Sequence, residues 1–220
     1  MEIRVIYSLQ HDIDNYTDSL YHFRWNKHGR ENIQKDLLKP FSEDFKKSLK
    51  EATNKKEAQE IVEKILLQGL DCRKTTYLTI ANNLEEAWKK EGATIVNTLE
   101  KIYGKKVPFD LITVYLSSIP ICPYNFKQRW IYAFAGTSVQ RQLRILTHEL
   151  NHFMFLFHFG NLKDKVGNDS FESLKEALTV FTNPEEKGYP AQQKLRMWLK
   201  KQKGTISEII EKEEWQEHLK

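Results

Sequence analysis

LRILTHELNHFMFLFHF, residues 143–159, is the most informative segment of this 220-residue chain. Read as a helix, it is apolar on most sides, through Leu143, Ile145, Leu146, Leu150 and the run 153–157, and a helix apolar all round is normally buried. Set into it are His148, Glu149 and His152, an H-E-x-x-H motif. Four residues advance a helix by about 400°, so both imidazoles project from nearly one face, one turn apart, where they can bind a single zinc ion. Glu149 lies about 100° round from His148, where its carboxylate can act on water activated by the ion. Chance supplies roughly 0.02 such motifs in a chain of this composition. Burying two imidazoles and a carboxylate among Phe and Leu is costly without a strong compensating partner, and a metal ion provides one.

Working outward, Thr137 with Gln140 resembles a capping box and Gly160 with Asn161 supplies a stop, so the helix is expected over 138–159. Before it, 129–136 (RWIYAFAG) and 109–117 are β-branched and aromatic and predict strands, separated by a Pro-containing loop at 119–126. Residues 2–9 alternate partly and predict a strand that joins these two, giving a sheet of about three strands. The stretch from 12 to 104 is rich in Lys, Glu, Leu and Ala with apolar residues three and four apart. Helices are expected there over 41–49 after Pro40, 56–70, 78–90 and 93–103, broken by Gly69, Gly92 and Gly104. Beyond the motif, helices are expected at about 170–182, 190–202 and 205–218, the last two entered by Pro190 and by Thr205 with Glu208. The fold class is α+β, predominantly helical. A mainly helical half, 1–106, whose first strand joins the sheet, precedes a catalytic half, 107–220, or the two form one continuous domain.

A catalytic zinc takes three protein ligands and keeps one position for water or substrate. His158 has metzincin spacing, but that pattern needs glycine at position 155 to turn the chain, and Phe155 stands there. In a continuous helix His158 lies about 9 Å past His152 and cannot share the ion. Glu176, 24 residues after His152 in LKEALTVF, is the preferred third ligand. Glu172 competes from one turn earlier, but Asp169 with Glu172 reads as a capping box and gives it a structural task. His11, His22, His28 and His218 lack ligand spacing and are expected at the surface or at caps.

Taken together, HELNH and the downstream run resemble the gluzincin clan of zinc metallopeptidases, in which a glutamate on the next helix completes the site. The match holds at Glu176, Leu178 and Phe181, with Ala177 where glycine is common, and it covers residues 129–181. Val180 stands where thermolysin-like relatives carry an acidic residue. The resemblance implies a zincin-like fold, one zinc ion per chain and a peptide or protein substrate. It also implies an edge strand under which an extended peptide binds, carried here by Ala133, Phe134 and Ala135. A Tyr or His that stabilises the oxyanion is implied too, with Tyr189 the candidate and Tyr132 and Tyr124 as alternatives.

Composition is consistent with this. Hydrophobic residues make up 40% of the chain, enough to bury a full core. The 34 Lys and Arg nearly balance 30 Asp and Glu, a net +4 that argues only weakly for a polyanion partner. The basic run Lys194, Arg196, Lys200, Lys201 and Lys203 is explained by a solvated helix face rather than a nucleic-acid groove. Cys72 and Cys122 match neither a disulfide framework nor a C-x-x-C motif, which favours a reducing compartment. The opening MEIRVIYSLQHD has no apolar signal region, and the apolar run 153–159 is far shorter than the roughly 20 residues of a spanning helix. A cytoplasmic protein with no membrane partner is expected. The expectation is zinc-dependent peptide hydrolysis with Glu149 as general base and acid. The alternative is a catalytically silent or self-inhibited zinc-binding scaffold.

Overall fold

A computed structural model of the chain describes residues 1–20, 38–39, 41–68 and 70–219. The expectations for His22, His28, Pro40 and Gly69, and anything concerning the side chain of Cys72, lie outside the described residues. Among those described the fold is α+β and mostly helical, built on one mixed sheet of four strands. The strands are β1 (Glu2–Tyr7), β2 (Leu111–Ser117), β3 (Tyr124–Asn125) and β4 (Trp130–Phe134), in the spatial order β1-β2-β4-β3. β1 pairs parallel with β2 (Val5 opposite Val114) and β2 parallel with β4 (Tyr115 opposite Tyr132).

The fourth strand corrects the three expected. β3 pairs antiparallel with β4 inside the Pro-containing loop, Tyr124 opposite Ile131 and Asn125 opposite Trp130. Two residues are too short to show an alternation of period two. The hairpin is closed by the Asn125 side chain, which accepts from Gln128 N at 3.0 Å, and by Arg129 in the left-handed region at φ 56°.

Alternation in β2 puts Ile112, Val114 and Leu116 on one buried face, where they meet Ile131 and Ala133 of β4. That face is covered by α4 (Leu70–Tyr103) and α5 (Val139–Phe159). α4 replaces two expected helices, because Gly92 does not interrupt it. A Cβ at Gly92 would stand 2.6 Å from the indole of Trp88, so this glycine makes room for a ring one turn back. The helix ends instead at Gly104, with φ +66°.

On the other face lies α1 (Leu9–Leu20), with His11 stacked on Tyr115 at 3.6 Å between ring centres. α1, α2 (Glu43–Glu51) and α3 (Lys55–Leu67) share a second, smaller core containing Ile13, Leu49, Val62 and Ile119. Polar contacts fasten this core to the end of β2. The buried Asp12 carboxylate accepts from Ser117 Oγ at 2.8 Å, Ser118 N at 3.0 Å and Ser118 Oγ at 2.7 Å. Asn15 Nδ2 donates to Ser117 Oγ at 2.8 Å and to the Ile121 carbonyl at 2.9 Å.

α5 is capped by Ser138, whose Oγ accepts from Arg141 N at 3.3 Å, one residue later than expected. It is followed by α6 (Leu162–Val166) and α7 (Asn168–Ala177), which tightens into a 3-10 turn at Leu178–Phe181. A short turn at Pro190–Gln192 leads into α8 (Gln193–Leu199), and α9 (Ile206–Glu211) begins at the expected Thr205/Glu208 capping box. No helix among the described residues is long and apolar enough to cross a membrane.

Candidate metal centre

α5 carries His148 and His152 on one face, with their Nε2 atoms 3.0 Å apart. Glu176, near the end of α7, meets them: Oε1 lies 3.5 Å from His152 Nε2 and Oε2 lies 3.9 Å from His148 Nε2. Three ligand atoms of a tetrahedral zinc are separated by about 3.3 Å, the edge implied by metal–ligand bonds of 2.0–2.1 Å. Two imidazoles and one carboxylate at this spacing form a group that could hold a metal ion. The donor set suits zinc and leaves room for a fourth ligand. His158 is excluded: its Nε2 lies 3.0 Å from the Lys106 carbonyl, away from the group.

Glu172 is also excluded, for a reason different from the expected one. α7 starts at Gly167 with no side-chain cap bond, and Glu172 Oε2 accepts from Lys175 Nζ at 2.6 Å. Lys175 is a buried cation that sequence reading passed over. It also donates to Tyr124 Oη at 2.9 Å and lies 3.7 Å from Glu176 Oε1. Burial works against its charge, but Tyr124, Glu176 and Glu172 outweigh burial and hold its pKa above the ordinary value.

The two histidines differ in their surroundings. His152 is buried, and burial, with the charges of His148 and Lys175, holds its pKa well below the ordinary value, so it is the neutral form a metal requires. Its Nδ1 has no hydrogen-bond partner among the described residues. His148 Nδ1 lies 3.2 Å from Glu186 Oε2. Burial alone would lower the His148 pKa, but the Glu186 hydrogen bond and the charges of Glu149, Glu186 and Glu176 raise it. A carboxylate on the outer nitrogen of a ligand histidine fixes its tautomer and orientation. Glu186 stands in the polar run Asn183–Pro184–Glu185–Glu186–Lys187–Gly188, which has no sequence signal beyond that of a solvated turn.

Glu149 is buried beside the group, and burial, with Glu176 and Glu186 adding and His148 and Lys175 opposing, pushes its carboxyl up to about 8. It lines a cleft of about 1080 Å³ together with His148, His152, Glu176, Tyr124 and Tyr189. Tyr189, 43% exposed, and Tyr124 both reach this cleft, whereas Tyr132 bonds to His11 and faces a separate cavity of about 380 Å³.

The expected edge strand is corrected. β4 lies inside the sheet between β2 and β3, and Tyr132 N donates to the Pro123 carbonyl at 2.9 Å. Ala133 and Ala135 are buried in the core, and neither they nor Phe134 line the cleft. The wall facing the helices is instead residues 120–124.

Two further residues hold the helices in place. Asn151, a polar residue in an apolar run, is buried; its Nδ2 donates to the Leu178 carbonyl at 3.3 Å and Thr182 Oγ1 at 3.1 Å, and its Oδ1 accepts from Tyr103 Oη. Arg196, expected on a solvated basic face, is 4% exposed. Its guanidinium donates to the Glu176 carbonyl at 3.1 Å, Thr179 Oγ1 at 2.8 Å and the Glu186 carbonyl at 2.8 Å. His11 and His218 are packed rather than free at the surface, His11 against Tyr115 and His218 stacked on Trp198 at 4.9 Å.

No family model matches the sequence, and neither a curated protein nor a solved structure matches the chain.

Proposed function

We propose that this chain is a zinc-dependent peptidase in which His148, His152 and Glu176 hold one ion and Glu149 moves the proton. The observation that supports this most is the convergence of two imidazole Nε2 atoms and a carboxylate, from two separate helices, in a cleft that a further buried carboxylate also lines. Bound there, zinc supplies Lewis-acid polarisation of a carbonyl and acidifies water towards neutral pH. With an ion bound, its positive charge would favour the ionised form of Glu149, which would accept the proton of the attacking water and return it to the departing amine. Glu186 keeps the His148 ring turned so that Nε2 faces Glu176, and Lys175 steadies the Glu176 carboxylate.

Tyr124 is better suited than Tyr189 to meet the developing oxyanion. Lys175 is an ammonium with donors only, so in its contact with Tyr124 the phenol oxygen is the acceptor. The phenolic proton is then available to a group in the cleft. An extended peptide would lie along residues 120–124, next to β3, the last strand of the sheet among the described residues, rather than along β4.

Metal content per chain, measured by mass spectrometry, tests the centre. The wild-type protein is expected to hold about one zinc, Glu176→Ala to lose most of it, and Glu186→Ala to bind it about 10- to 100-fold more weakly. His158→Ala should keep it. Glu149→Gln should retain zinc and lose cleavage of a mixed peptide library. Full cleavage by Glu149→Gln, or a wild-type protein that takes up no zinc, would overturn the proposal.

A further inference from the structure

The cleft is electrically lopsided. The carboxylates that line it are Glu149 beside the triad, Glu176 within it, and Glu185 and Glu186 on the loop beyond. Arg141 and Arg144 line the same cleft from the first turns of α5, seven and four residues ahead of His148 respectively, on a face continuous with Ile145 and His148. Both arginines are exposed. Among the described residues no carboxylate lies within 4.0 Å of either. The wall they face, residues 120–124, carries no charge and is largely apolar: Pro120, Ile121, Cys122, Pro123 and Tyr124. Burial pushes the Cys122 thiol up to about 12 and Glu149 adds to the rise, while a backbone hydrogen bond from Phe134 and the charge of Arg141 oppose it.

We propose that Arg141 and Arg144 form an anion subsite that selects substrates carrying a carboxylate a few residues from the scissile bond. This rests on the peptidase proposal for the register. Arg144 precedes His148 by four residues and Arg141 by seven, about 6 and 10 Å along the helix axis. An extended peptide advances about 3.3 Å per residue, so the carboxylate falls two to three residues from the bond that is cut. Guanidinium groups suit a carboxylate through paired N–H donors. The carboxylate can come from an Asp or Glu side chain or from the C-terminus of a short substrate, and the two sources share the same chemistry.

The test uses fluorescein-labelled decapeptides, identical except for Glu, Gln or Lys placed two and three residues to either side of a randomised centre, each with a free or an amidated C-terminus. Binding is followed by anisotropy on zinc-supplied Glu149→Gln protein, and cleavage on the wild type. Glu peptides are expected to bind about 5- to 10-fold more tightly than Lys peptides at low salt, with the gap narrowing at high ionic strength. The exposed double variant R141E/R144E should reverse the order. A preference that follows the free C-terminus and ignores internal Glu assigns the subsite to the terminal carboxylate. Equal binding of Glu, Gln and Lys peptides, or an unchanged order in the double variant, overturns the subsite even if cleavage is normal. Arginine-dependent binding of Glu peptides with no cleavage by the wild type overturns the peptidase proposal and leaves the subsite standing.

Discussion

The two walls of the cleft are held by opposite means. On the helical wall, formed by α5, α7 and the loop to α8, buried side chains cross-brace the surroundings of the triad: Asn151 to the 178–182 turn, Arg196 to the backbone of both Glu176 and Glu186, Lys175 to Glu172 and Tyr124. On the strand wall, residues 120–124 run between the end of β2 and the short β3, tied to β4 through the Pro123 carbonyl and to α1 through Asn15, with Asp12 holding the preceding Ser117 and Ser118. A metal site tolerates little displacement, and the three residues that could hold an ion sit where the polar bracing is densest. The wall that would meet a substrate needs only to be placed, and two buried side chains of α1 help to place it.

Breaking the brace at Arg196 should have the largest effect. Arg196→Met removes a buried guanidinium and leaves the Thr179 hydroxyl oxygen and the Glu186 carbonyl without their donor, while the Glu176 carbonyl keeps Thr179 Oγ1 at 2.7 Å. Losing buried charge-assisted bonds of this kind costs about 3 kcal/mol, read as a fall in the urea midpoint. Zinc affinity should fall with it, because the backbone at Glu176 and Glu186 is held by the same group. Unchanged zinc affinity in a destabilised variant would mean that the brace supports the fold alone.

The corresponding cut on the other wall is Asp12→Ala. It strips the acceptor from two serine hydroxyls and the Ser118 amide, and a loss of about 2 kcal/mol is expected. Here the metal content should stay at the wild-type level while KM for any cleaved peptide rises, since the 120–124 wall loses its anchor and the triad does not. A drop in bound zinc matching that of the Arg196 variant would erase the distinction between the walls.

How much of this was legible beforehand follows the same division. HELNH is readable because a spacing of four is helical geometry, and Glu176 falls on the next helix within reach of both rings. The braces are not readable in the same way. Arg196 stands in a run of lysines, Glu186 in a polar turn, and Lys175 three residues from a carboxylate, each indistinguishable in sequence from a solvated charge. Asn151 had a signal, a polar residue inside an apolar helix, because such a group must find buried partners. Gly92 misled for the reverse reason: its task is to admit the Trp88 ring, which depends on packing and not on backbone conformation. The short strand β3 escaped because its pairing is fixed by the hairpin turn and not by two side chains.

The smallest expected effect lies behind the strand wall, at His11. Tyr132 Oη donates to the His11 carbonyl at 2.9 Å, which uses its proton, so the contact of 3.1 Å between Tyr132 Oη and His11 Nδ1 requires a proton on Nδ1. The ring is stacked on Tyr115, and burial holds its pKa below 6.5, with Asp14 opposing. A folded-state value below the unfolded one means that the unfolded chain takes up the proton first. The stability is fully present above pH 6.5 and is lost as pH falls through 6.5 towards the lower folded-state value. Because the ring is partly exposed, the loss is well under about 1 kcal/mol after allowance for screening. Urea midpoints at pH 7.5 and 5.5 should therefore fall slightly further for the wild type than for His11→Gln, whose amide does not titrate. An equal fall in both would show that the stack tolerates the imidazolium. It would also mean that the sheet face beneath α1 is more open to water than the wall it supports.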